Sequence, residues 1–228
     1  MKKIRFHRQT FIIFQHGWKS EIAELQRWFS SFLFALTILF LFAFAIGEIP
    51  VVVKQQMILS QVFLCCFLVL QLVHQRILST EEEDRAIDVL VTYPSSYSSF
   101  YLAKVLLSVT LCSLVLLPFL GAMQLLHEVP VMDLTFLGIT GLVIVALSAL
   151  GVLLSQMTQK AKGRELVFPL LYFPLTIPVL LAAVQGVACY WGLQRPEAFN
   201  LWFGLLVGFC IIYLTLGLLL FEDIVGLD

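Results

Sequence analysis

"FNLWFGLLVGFCIIYLTLGLLLF", residues 199–221, contains no charged side chain and decides the class of the whole chain. A helix that crosses the hydrocarbon of a bilayer needs roughly 20 mostly apolar residues, and this stretch supplies them. Working outward toward the N-terminus, five more stretches have the same character: residues 166–187, 134–157, 100–126, 57–73 and 28–47. Composition agrees. The 228 residues are 60% hydrophobic and 13% charged, with a mean hydropathy of +0.96, whereas soluble domains are nearer half apolar and a quarter charged. The expected fold is an all-α integral membrane protein with six transmembrane helices over residues 28–228. The first stretch follows a charged leader and has no small-x-small cleavage pattern before a soluble domain, so it reads as a span and not as a signal peptide.

Charge placement orients the spans. With the N-terminus in the cytoplasm, the inner segments hold Lys2, Lys3, Arg5, Arg8, Lys19, Arg27, Arg76, Arg85, Lys104, Lys160, Lys162 and Arg164, and the outer loops only Lys54 and Arg195. Cytoplasmic loops carry the excess of Lys and Arg, so a multi-pass membrane protein with both termini cytoplasmic is expected. A formal net charge of −1 gives no reason to expect a nucleic acid partner.

Residues 1–27 are too polar to span. Ile4, Phe6, Phe11, Ile12, Phe14, Ile22 and Leu25 are interspersed with Lys, Arg, His and Gln, the pattern of an amphipathic helix lying in the membrane interface. Trp18 and Trp28 suit the headgroup level. The outer connections, residues 48–56, 127–133 and 192–198, are too short to form a domain.

The fifth span reads "ELVFPLLYFPLTIPVLLAAVQG". Pro169, Pro174 and Pro178 each remove a backbone donor and clash with the carbonyl four residues earlier. In lipid, carbonyls freed this way need protein or a wet cavity to satisfy them. A movable kinked helix beside a cavity and a static kink that fits its neighbours are both open readings. Gly204 and Gly208, and Ala182 and Gly186, have the spacing of helix-packing faces within the bundle.

Reaction chemistry is sparse. Buried Asp, Glu, His or Lys usually mark proton relays and coupled transport, but here His74, Lys104 and Glu165 lie near the inner ends, where solvated or snorkelling placement is expected. His127 is the one histidine placed outside, and a solvated position is expected there too. Cys65, Cys66, Cys112, Cys189 and Cys210 form no C-x-x-C and read as small buried hydrophobes, not as a metal or redox site. No G-x-x-x-x-G-K-[ST], G-x-S-x-G or H-E-x-x-H occurs. No catalytic residue and no metal site is assigned, and an enzyme is not expected.

The most charged stretch is "LSTEEEDRAIDVLVTYPSS", residues 78–96, on the cytoplasmic side after two spans. Thr80 and Glu83 have the spacing of a capping box, and Glu81, Glu82, Glu83 and Asp84 in a first turn would complement the helix dipole. Ile87, Leu90 and Val91 share one apolar face, with Asp88 elsewhere on the circumference. Pro94 ends the pattern. The expectation is a short helix over about 80–93 that docks on a cytoplasmic protein; a solvated loop against the bundle is the plainer alternative.

These residues carry a resemblance. An amphipathic leader, two spans and a charged helix running into "VLVTYPSSYSSFYLAK" resemble the permease subunits of ABC-2 type exporters, and more closely the CcmB family of haem exporter permeases. The blocks "IDVLVTYP" (87–94), "LAK" (102–104) and "ALGVLLSQMTQKAKGRELVFPLLYFPLTIPVLLAA" (149–183) carry it. Arg85 stands where the family often has glycine, and two serines follow Pro94 where a second proline is common. The resemblance implies a membrane permease subunit of the bacterial inner membrane that couples ATP hydrolysis to haem delivery, or to release of a haem-loaded chaperone, in cytochrome c maturation. It implies a separate CcmA-like ABC ATPase, CcmC-like and CcmD-like membrane subunits and a CcmE-like haem chaperone. ATP would sit on the ATPase and haem on partner proteins, with no cofactor bound directly by this chain. An ABC-2 exporter of a glycan, lipid or drug, and a membrane scaffold without an ATPase, are the competing functions.

Overall fold

The computed structural model describes residues 6–23, 25–46, 50–84, 97–127, 129, 131–158 and 164–225. Within them the chain forms α1 (Phe6–Ala23), α2 (Leu25–Ile46), α3 (Val51–Asp84), α4 (Tyr97–His127), α5 (Leu134–Thr158), α6 (Arg164–Tyr190), a 3-10 turn at Pro196–Ala198 and α7 (Phe199–Val225). There is no strand among the described residues. Five of these helices, α3 to α7, are long and apolar enough to cross a membrane. They correspond to the second to sixth stretches expected from sequence. The first overlaps α2, whose described apolar segment, Phe32–Phe42, is shorter than a full span.

The bundle is built around α5, which packs against α3, α4, α6 and α7. Its sequence explains the position. Thr140, Ala146, Ser148, Ala149 and Gly151 are all buried, and small residues let neighbouring backbones approach closely where lipid provides no hydrophobic drive. Phe63 of α3 reaches Phe136 of α5 with ring centroids 6.2 Å apart, and Trp191 stacks on the same Phe136 at 5.6 Å.

Helix ends are set by local chemistry. Asp133 caps α5 by accepting the Thr135 amide at 3.0 Å, and it also accepts the Tyr190 hydroxyl at 2.8 Å. The tyrosine hydroxyl, followed by the Thr135 amide, holds this carboxyl below its ordinary range. A depressed folded pKa adds stability that is present above the unfolded value and is lost as pH falls through the folded one. Asp133→Asn is therefore expected to flatten the acid limb of a melting-temperature profile below about pH 4. Identical acid limbs for variant and wild type would refute the assignment. At the end of α6, Gly192 takes φ 71°, while Leu193 N–H bonds Ala188 C=O and Gly192 N–H bonds Cys189 C=O. This is a Schellman ending, and the left-handed position accounts for the glycine.

Two expectations need correction. First, α3 does not stop near residue 73: it continues unbroken to Asp84, so Thr80 caps no new helix and Glu81, Glu82, Glu83 and Asp84 are its last four residues. Residues 51–84 contain no glycine or proline, and the Gln, Arg, Leu and Glu that follow the apolar part are good helix formers, so propagation outruns the polarity change. Second, Gly204 and Gly208 do not mediate packing within the bundle, since a Cβ at either would meet nothing within 4 Å. Gly186 does, facing Trp202, and Ala182 is buried. The N-terminal helix α1 packs along α4 using Ile13, Phe14, Gly17 and Trp18, and a Cβ on Gly17 would come within 2.9 Å of Leu107. Phe11 and Ile12 stay exposed on α1.

Candidate functional site

Two of the expected features lie in described helices. The acids Glu81, Glu82, Glu83 and Asp84 form the end of α3, and Pro169, Pro174 and Pro178 lie inside α6. Ile87, Asp88, Leu90, Val91 and Pro94 lie outside the described residues. A group of side chains that sequence reading did not single out connects the two helices.

His74 sits ten residues before the end of α3 and is 1% exposed, not solvated as expected. Its Nε2 is 3.2 Å from Ser108 Oγ on α4, and that hydroxyl donates to Ser148 Oγ on α5 at 3.0 Å. One turn on from Ser148, Gly151 leaves the space the imidazole fills: a Cβ there would overlap the ring. The remaining sides are aromatic. Tyr172 and Phe168 of α6 approach with centroids at 5.8 and 6.3 Å, and they stack on each other at 5.2 Å. Four helices therefore meet on one side chain. Nδ1 has no hydrogen-bond partner among the described residues.

The proline segment of α6 is held from the other side. Tyr213 of α7 donates its hydroxyl to the Leu175 carbonyl at 2.6 Å, just beyond Pro174. Thr176 donates to the Phe173 carbonyl at 2.9 Å. Neither acceptor is a carbonyl four residues before a proline, which would be Glu165, Leu170 or Pro174, so these two bonds brace the proline segment without serving the carbonyls that its prolines free. Removing one interhelical hydrogen bond of this kind costs about 1 kcal/mol. Tyr213→Phe is expected to lower thermal stability by that amount, measured in lipid discs; no change in melting would show that the bond contributes nothing.

At the opposite end of the bundle His127 is buried, contrary to expectation, and its Nε2 has no partner among the described residues. Among the described residues no three His, Cys, Asp or Glu side chains are grouped to hold a metal ion. The five cysteines are buried and free, as expected of small hydrophobes. The clues to the His74 cluster were a lone histidine and small polar residues inside spans. Sequence spacing cannot pair residues 34 or 40 positions apart on different helices.

A family model described as CcmB protein matches residues 8–223, nearly the whole chain. The chain belongs to the CcmB family. CcmB proteins are the membrane component of haem export for cytochrome c maturation. No curated protein and no solved structure matches the chain. The match includes residues 85–96 as well as the His74 cluster and the proline helix, so all three parts belong to the CcmB segment.

Proposed function

We propose that this CcmB-family chain is the non-catalytic permease subunit of an ABC-type complex. It spans the bacterial inner membrane six times with both termini in the cytoplasm. A CcmA-like ATPase hydrolyses ATP on the cytoplasmic side, CcmC-like and CcmD-like subunits complete the membrane part, and the work is delivery of haem or release of a haem-loaded CcmE-like chaperone. The observation that carries the reading is the family match over residues 8–223, in a chain with no phosphate-binding glycine motif of its own. The 12-to-2 division of Lys and Arg supports the orientation. The docking element is then the acidic end of α3 with the apolar positions Ile87, Leu90 and Val91 that follow it.

The test is isolation of the tagged chain from native membranes in several mild detergents. Co-purification of a nucleotide-binding subunit with ATPase activity is the expected result. Recovery of the intact chain with no such subunit in any detergent would overturn the reading in favour of a scaffold.

A further inference from the structure

We infer that His74, with Ser108, Ser148 and Gly151, is the joint through which displacement of the acidic end of α3 reaches the proline-kinked half of α6. The inference rests on the proposed docking of an ATPase at that end of the chain.

The argument begins with stiffness. From His74 to Asp84 the helix runs ten residues, about 15 Å at 1.5 Å per residue, with no glycine or proline to absorb a bend. A push on its last turn therefore arrives at His74 as a rotation or slide of the whole segment. At that level α3 is attached by the Ser108 and Ser148 hydrogen bonds and by close fit over Gly151. A polar contact surrounded by apolar side chains fixes register more tightly than apolar packing, which can slip. On its far side the imidazole meets Phe168 and Tyr172. These precede Pro174, whereas Leu175, just after it, is pinned by Tyr213. Movement of His74 consequently acts on the half of α6 before the kink while the other half is held by α7. Proline kinks are where a membrane helix bends most readily, because the backbone ladder is already interrupted.

His74 is a positioning residue in this scheme and touches no substrate. Gly151→Ala is the sharpest probe, because its methyl displaces the ring without removing a polar group. The measurement uses the whole complex in lipid discs and reads three quantities: ATPase-subunit association, ATP hydrolysis, and haem-chaperone release per ATP hydrolysed. A fourth reading is the nucleotide-dependent distance between spin labels at Leu166, at the start of α6, and Leu219 on α7, both exposed. The expected result for Gly151→Ala is unchanged association and hydrolysis, loss of the nucleotide-dependent distance change, and about tenfold less release per ATP. Gly151→Ala combined with His74→Gln, a flexible side chain whose amide reaches as far as Nε2 and can bend round the methyl to meet Ser108, is expected to recover much of the release. If Gly151→Ala does not insert, Ser148→Ala carries the same test, since it deletes one hydroxyl and adds no bulk. Wild-type distance change and release in the variant, with association intact, overturn the joint alone. Absence of association in the wild-type chain overturns the underlying reading, and the joint falls with it.

Discussion

Tyr101→Ala is expected to destabilise the bundle by about 3 kcal/mol, more than any other single truncation considered for this chain. Tyr101 is fully buried in a small cluster with Phe100, Val105, Val152, Leu153 and Phe221, with its ring 5.4 Å from that of Phe221. Its hydroxyl donates to the Ala149 carbonyl at 3.0 Å and lies 3.4 Å from the Tyr213 carbonyl. Gly217 provides the space, because a Cβ there would overlap the hydroxyl. In a bilayer the usual transfer gain is small, since lipid tails are themselves apolar, so the cost comes from the void. An emptied volume on the order of 100 Å³ at about 24 cal/mol per Å³ gives about 2 kcal/mol. The lost hydrogen bond adds about 1 kcal/mol, which is the whole effect expected of Tyr101→Phe. Denaturant titration of both variants in mixed micelles separates the two contributions. If the alanine variant lost no more than the phenylalanine one, cavity formation would not be the cause.

The second large effect concerns binding. Leu90→Asp is expected to weaken ATPase association by about 2–4 kcal/mol, which is roughly 30-fold to 1,000-fold in Kd. Glu82→Gln should cost under about 1 kcal/mol. The asymmetry follows from what each position supplies in the proposed docking element. An apolar anchor loses its contact and forces a new charge into the interface, whereas one of four neighbouring acids mainly steers approach. Both variants should insert normally because neither position belongs to an apolar run long enough to span. Quantitative pull-down with purified ATPase distinguishes them. Association of Leu90→Asp at the wild-type level would reduce residues 85–96 to a loop without a docking role.

The spans were legible because a run of roughly 20 apolar residues has few alternatives in water, and α3 to α7 fall where those runs lie. Their ends were less so. Asp84 ends a helix whose apolar part finishes ten residues earlier, since helix propensity and hydropathy are separate properties. Spacing also fails to say which face a pair occupies: Gly204 and Gly208 share a face of α7, but that face is turned away from the other helices. The prolines of α6 could be read directly, whereas the hydroxyl serving the Leu175 carbonyl comes from Tyr213, 38 residues later. His74 was visible as a lone histidine near a span end. Its burial depends on the gap at Gly151 and on hydroxyls from two other helices, information that exists only once the helices are assembled.

The burial of all five cysteines has a practical consequence. Alkylation requires a thiolate and a path for the reagent, and Cys65, Cys66, Cys112, Cys189 and Cys210 are each enclosed by neighbouring helices. The natural sequence is thus a silent background for maleimide chemistry, and no cysteine-free version has to be built and shown to fold. A cysteine placed at Leu134, 84% exposed, or at Leu166, 79% exposed, would report on its own position alone. Because these two sites begin successive helices at opposite ends of the bundle, an impermeant reagent would reach one and not the other, reading the direction of the chain through the membrane from a single pair of gels.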